Sequence, residues 1–129
     1  MIFTKASCPT CRWAAPYFQR MHELYGDTGL SVVAIAQGDE ADERTFVNEL
    51  GLTYPVALEP SPWSFAAAHG LTTVPTSLLV DTSGDTTLMS PGFSRDDLLD
   101  VASRAAAAGG GELRSPFPEG VDVPAFRPG

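Results

Sequence analysis

Two cysteines stand three residues apart near the start of the chain, in Ala6-Ser7-Cys8-Pro9-Thr10-Cys11-Arg12-Trp13, and there are no others among its 129 residues. Thiols at that spacing can bridge each other for stability, hold half of a metal site, or exchange a disulfide with another molecule. On a helix, residues three apart share a face with Cβ atoms roughly 5–6 Å apart, near enough for a disulfide after small adjustment. Such a bridge closes a tiny loop, and chain-entropy models give small loops the least stabilisation, so a purely structural bridge gains little. Structural zinc as a rule takes four protein ligands. Beyond the pair only His22 and His69 could contribute, and their spacing fits no finger or ribbon pattern, so neither a metal nor a cofactor is expected. Redox exchange fits the residues better. Pro9 at the first helical position gives up no needed hydrogen bond, and Cys8 then sits at the helix N-terminus, where unpaired amides and the dipole favour a thiolate. Cys11, one turn in, is expected to be more buried. In that division of labour Cys8 attacks a partner's disulfide and Cys11 resolves the mixed disulfide.

The elements that must position this pair alternate. Met1 to Thr4 is a short apolar stub suited to a strand, and Trp13, Tyr17, Met21 and Leu24 recur at helical spacing, which predicts a helix from Pro9 to about Tyr25. Leu30 to Ala36 reads as a strand buried on both faces. Asp39 caps a predicted helix to Leu50, with Asp42 at its third position and Gly51 just beyond its end. Tyr54 to Leu58 is a short strand with Pro55 at its start or edge, and Pro62 to His69 a short helix ended by Gly70. Thr76 to Val80 is another buried strand, and the turn Ser83-Gly84-Asp85 leads to a strand at Thr86 to Met89. Ser94 with Asp97 opens a last helix to about Ala108. Strands and helices in alternation, then a hairpin and a helix, predict a three-layer α/β domain over residues 1–108. After Gly109-Gly110-Gly111 the composition shifts to a Pro-rich tail, residues 109–129, either loose or laid over the domain.

Charge and hydropathy narrow the function classes. The net charge is −8 and the eight basic residues are scattered, which disfavours nucleic acid and anionic membranes as partners. There is no run of about 18 apolar residues to span a membrane, and the first residues lack the charged-then-apolar order of a secretory signal. At face value this is a cytoplasmic protein, monomeric or weakly dimeric. Since it begins inside a strand, a segment removed from its N-terminus would make it extracytoplasmic instead.

The order of these motifs resembles thioredoxin-fold proteins, and more narrowly the TlpA/ResA-like thiol–disulfide oxidoreductases of the redoxin (AhpC-TSA) group, over roughly residues 1–106. Phe3 stands five before Cys8, Pro16 five after Cys11, Val74-Pro75-Thr76 matches the cis-proline signature, Leu78 to Gly84 matches the strand and turn after it, and Gly92 precedes the last helix. Room for the extra helix and strand of a TlpA-like insert lies between Leu30 and Pro75. The resemblance implies a central mixed sheet flanked by helices, with Cys8 and Cys11 as the catalytic pair. It implies a cis Pro75 facing them, and a substrate strand that pairs with the backbone at Val74 by β-augmentation. Thr76 and Trp13 would line that substrate groove, with Trp13 equally suited to the core, and Pro9, Thr10 and Pro16 would shape the active-site helix. Partners would be protein disulfides or dithiols and an upstream thiol reductant.

Three residues depart from the family. Ile2 replaces the buried acid of thioredoxin, Ala14 stands where many TlpA-like proteins carry Glu, and Ser7 replaces the usual Trp before the first cysteine. No proton acceptor for Cys11 is therefore assigned. The sheet also lacks the family's usual leading strand, which leaves an edge for the tail or a second chain to cover, unless the gene starts further upstream. The other polar and aromatic residues have plainer readings. His22 belongs to a surface or partly buried position, His69 to a helix end, Lys5 to solvent, Trp63 and Phe65 to the core, and the acidic run Asp39 to Glu43 to a solvated helix start. Two alternatives stand beside dithiol exchange. One is a thiol peroxidase, since Phe3 to Thr10 is similar to the peroxiredoxin segment, although Lys5 replaces its Thr or Ser. The other is a non-catalytic binding module. Pro9-Thr10 matches neither the Gly-Pro of reducing thioredoxins nor the Pro-His of strong oxidants, and a cytoplasmic setting favours reduction.

Overall fold

A computed structural model describes residues 1–129. Its elements are β1 (Ile2–Thr4), α1 (Pro9–Tyr25), β2 (Ala34–Ala36), α2 (Glu40–Leu50), β3 (Val56–Leu58), α3 (Ser64–Ala68), β4 (Thr76–Val80), β5 (Thr86–Pro91), β6 (Phe93–Ser94), α4 (Arg95–Ala108) and β7 (Phe126–Arg127). The first five strands form one sheet in the order β3-β2-β1-β4-β5. The β1–β2 and β2–β3 pairs are parallel, while β1–β4 and β4–β5 are antiparallel. This is the mixed sheet flanked by helices that the α/β reading anticipates.

Strand β1 sits in the middle, and its side chains alternate between the two faces. Ile2 joins the larger core with Phe18, Met21, Phe46, Phe93 and Ala102, contributed by α1, α2, β6 and α4. Phe3 points the other way, to Ala66 of α3 and Leu78 of β4. Phe3 is completely buried, a burial that stabilises by about 1.5–3 kcal/mol.

Most predicted boundaries hold within a residue or two, including the Asp39 cap on Ala41 and the Ser94 cap on Asp97. The differences have local causes. The β2 ladder covers only Ala34–Ala36 of the apolar run, because its partners β1 and β3 are three residues each. Strand β3 pairs alongside β2, with Ala34 opposite Val56, so that β3 forms this edge of the sheet. Trp63 and Phe65 are not core residues, being 39% and 42% exposed. The five-residue α3 is too short to turn both inward, and Phe65 lies over Phe3 from outside, ring centroids 5.8 Å apart.

The tail lies over the domain. Val123 is buried in the larger core, and Phe117 meets Tyr17 edge-on at 5.3 Å. The buried Tyr25 hydroxyl donates to the Arg114 carbonyl at 2.5 Å and accepts from the Arg114 amide at 2.8 Å. Tyr25→Phe removes both bonds and should cost about 1–2 kcal/mol. Urea denaturation reads this as a lower midpoint with an unchanged slope.

Candidate functional site

Strand β1 delivers the chain to the cysteines within four residues. A turn closed by the Cys8 amide donating to the Lys5 carbonyl (2.9 Å) sets Cys8 as the N-cap of α1, with extended backbone angles and Pro9 as the first helical residue. The cap is the sulfur itself, since Cys8 Sγ accepts from the Cys11 amide at 3.1 Å. That contact satisfies one of the orphan donors of the helix start and feeds the positive end of the dipole to sulfur. Cys8 is half-buried and Cys11 completely buried, the division anticipated for them. Burial pushes the Cys11 thiol far above its usual range. The Cys8 side-chain hydrogen bond and the negative charges of Cys8 and Glu43 push the same way, against a backbone hydrogen bond from Lys5.

Across from the pair, the Val74–Pro75 peptide is cis. Cys8 Sγ donates to the Val74 carbonyl at 3.3 Å. The turn is pinned on both sides, because Pro75 accepts from the Gly92 amide at 2.8 Å and Thr76 Oγ1 donates to the Thr73 carbonyl at 2.8 Å. Thr76 is buried opposite Phe3 in the β1–β4 pairing, so the two central strands hold cysteines and proline at one end of the sheet.

The remaining residues singled out in the sequence divide between the site and its surroundings. Trp13 is half-buried one turn into α1, edge-on to Phe93 at 4.8 Å and to Tyr17 at 5.1 Å, so it packs against the core while keeping part of its ring accessible. Thr10 is buried and Pro9 exposed. Pro16 lies inside α1 with an exposed ring, and its missing N–H leaves the Arg12 carbonyl without a helical donor. His69 stays at the end of α3, bonded to the Phe65 carbonyl at 2.8 Å. Lys5 lies with its ammonium 5.7 Å from the Trp63 ring.

Glu43 departs from its reading as part of a solvated helix start. It is only 2% exposed. Its Oε1 accepts from the Ala6 amide at 2.7 Å, and the Gly38 amide donates to the same carboxyl. Its Oε2 has no partner, and neither has the buried Tyr54 hydroxyl. Burial raises the Glu43 carboxyl above its usual range, with the Asp42 charge adding to this, against the two amides and the Lys5 charge. Burial likewise raises Tyr54, and a negative charge at Cys11 adds to it. Glu43 and Tyr54 are thus two buried polar groups whose charges and that of Cys11 act on one another. The sequence held a signal for the burial of Glu43: Glu43, Phe46, Val47 and Leu50 recur at i, i+3, i+4 and i+7, which places Glu43 on the apolar face of its helix. Gly38 also leaves room, since a Cβ there would overlap Oε1.

A mixed sheet with a cysteine-capped helix at one end and a cis-proline turn opposite defines a thioredoxin-like fold. The family model for redoxin matches residues 1–103, and the chain belongs to the redoxin family. Within it the chain is of the TlpA/ResA-like kind. It is similar to the thiol-disulfide oxidoreductase ResA of Bacillus thuringiensis, 32% identical over 79 residues that make up 60% of this chain and 44% of that protein. The chain spans about half the length of the curated relatives it matches. The structure described as a thiol:disulfide interchange protein DsbE of Chlorobium tepidum superposes with a TM-score of 0.74 at 27% identity, covering 84% of this chain and 77% of that one. A thioredoxin domain of a thiol-disulfide oxidoreductase of Bacteroides vulgatus shares the fold, with TM-score 0.72, 20% identity, and 80% and 74% coverage. No helix is long and apolar enough to cross a membrane.

The unequal burial of the two thiols is directly measurable. Brief iodoacetamide treatment of the reduced native protein should give one adduct, on Cys8 by peptide mass spectrometry. Cys11 should react only after denaturation.

Proposed function

We propose that the chain is a thiol–disulfide oxidoreductase that reduces protein disulfides through Cys8 and Cys11. The observation that carries this reading is the half-buried Cys8 sulfur, capped by the Cys11 amide and 3.3 Å from the Val74 carbonyl, with Cys11 fully buried behind it. The Cys8 thiolate attacks one sulfur of the substrate disulfide, and the other leaves as a thiolate that takes up a proton. Cys11 then gives its proton to the Glu43 carboxylate and attacks the Cys8 sulfur. The substrate's second thiol leaves and the Cys8–Cys11 disulfide forms, so two electrons have passed to the substrate. An upstream dithiol restores the pair.

In this reading the substrate segment lies along Val74, with cis-Pro75, Thr76 and Trp13 lining its groove and Pro9, Thr10 and Pro16 shaping the start of α1. Residues 1–108 form the redox unit and 109–129 a tail that acts on it. Reduction is the direction a thiol-maintaining compartment such as the cytoplasm sustains, and an extracytoplasmic form supplied with electrons would run the same way.

Two substitutions test the assignment of the thiols. Cys8→Ser should abolish reduction of insulin by dithiothreitol-recharged protein, whereas Cys11→Ser should accumulate a covalent Cys8–substrate disulfide visible on a non-reducing gel. Activity that survives Cys8→Ser would sink the proposal.

Glu43→Gln tests the proton acceptor. Without the carboxylate, Cys11 loses both a base and a neighbouring negative charge, so its thiol titrates lower while its deprotonation at neutral pH slows. Resolution should fall at least about tenfold at pH 7, within the range of general-base effects, and recover towards wild type as rising pH supplies hydroxide. A pH–rate profile superimposable on wild type would remove Glu43 from the mechanism.

A further inference from the structure

The open side of the site carries a segment of the chain itself. Strand β7 pairs antiparallel with β6, Phe93 opposite Arg127 and Ser94 opposite Phe126. This pairing aims the following residues across the N-terminus of α1. The Pro128 carbonyl accepts from Thr10 Oγ1 at 2.7 Å, from between the two cysteines. The Arg127 guanidinium lies 4.9 Å over the Trp13 ring. Gly129 rests so close to the Val74 carbonyl and Thr73 Oγ1 that a Cβ there would overlap both. Gly92, with φ +74°, admits the strap from below, since a Cβ on it would lie 2.7 Å from the Arg127 carbonyl.

These contacts fall on the groups a substrate segment needs. The Val74 carbonyl is met both by Cys8 and by Gly129. Neighbouring strands need about 4.7–4.9 Å between backbones, so a second segment cannot pair along Val74 while Gly129 rests there. The hold is slight, amounting to a two-residue strand pairing, one side-chain hydrogen bond and one cation–π contact, with Pro128 and Gly129 exposed to solvent. The tail before it is anchored separately. Arg114 is bound by Tyr25, Val123 is buried, and the Val123 and Ala125 carbonyls accept from the Arg95 side chain and amide at 3.2 and 2.9 Å. Residues 126–129 can therefore lift without the rest of the tail following.

We propose that residues 126–129 are a built-in occupant of the substrate edge, which an extended cysteine-bearing protein segment must displace from Val74 before its disulfide reaches Cys8. The proposal rests on the disulfide-exchange reading and adds selectivity to it. Cys8 stays half-exposed beneath the strap, so small disulfides pass while protein disulfides compete with the tail.

Two variants test this, one ending after Ala125 and one full-length with Gly129→Leu, whose side chain has no room against Val74. Each is compared with the unaltered chain on insulin and on 5,5′-dithiobis(2-nitrobenzoate). A strap docked most of the time lowers the competent fraction, and its loss should raise kcat/KM on insulin about three- to tenfold, with the small disulfide reduced at the unaltered rate. Unchanged or lower insulin rates in folded variants overturn the proposal. So does a shortened chain that cannot fold, since residues 126–129 would then be a structural element. An unaltered chain that reduces neither disulfide overturns the exchange reading itself, which keeps the two failures distinct.

Discussion

The antiparallel pairing of β1 with β4 is the constraint on which the rest depends. Phe3 opposite Thr76 and Ile2 opposite Ser77 bring together two chain ends more than sixty residues apart: the turn into α1 and the turn after Val74. With β1 only three residues long, the register leaves little slack. A slip by one residue would turn Phe3 towards the larger core and Ile2 towards the smaller. It would also move Cys8 away from the Val74 carbonyl, which it meets at 3.3 Å. The hydrophobic sorting of two adjacent side chains thus sets the geometry of a sulfur atom.

The protein holds two buried carboxylates in opposite ways. Burial alone would raise Glu59, but Gln37 and the Phe65 and Ala66 amides all donate to it and hold it below its usual range. It is a satisfied acid that ties α3 to β3. Glu43 has two amides on its carboxyl and an unpartnered Oε2, and it titrates high. An unpartnered buried polar atom costs stability, and here it belongs to a carboxyl whose charge acts on the buried Cys11 thiol. Stability and reactivity pull apart at such positions.

The groove shows the same economy of parts. Thr10, Trp13 and Val74 each meet the tail as well as the cysteine helix or its facing turn. Because the tail's anchoring residues come before its contacts with the site, its final residues are the part free to exchange with an incoming chain. The small Ser7 leaves this rim lower than a tryptophan would.

By itself the sequence determined the cysteine pair on a proline-started helix, the alternation of strands and helices, the caps at Asp39 and Ser94, and the family these compose. Such features are local, because spacing, capping and β-branched runs act over a few residues. Tertiary structure decided what depends on distant partners. Glu43 read as one charge in an acidic run until Ala6 and Gly38 closed around it. Trp63 and Phe65 read as core until a short α3 left them outside. The Pro-rich tail had no period of its own, and only a two-residue pairing with β6 set it across the site. Burial and electrostatic environment are properties of what packs against a residue, and for Glu43 and the tail decisive partners lie 37 and 118 positions away in the chain.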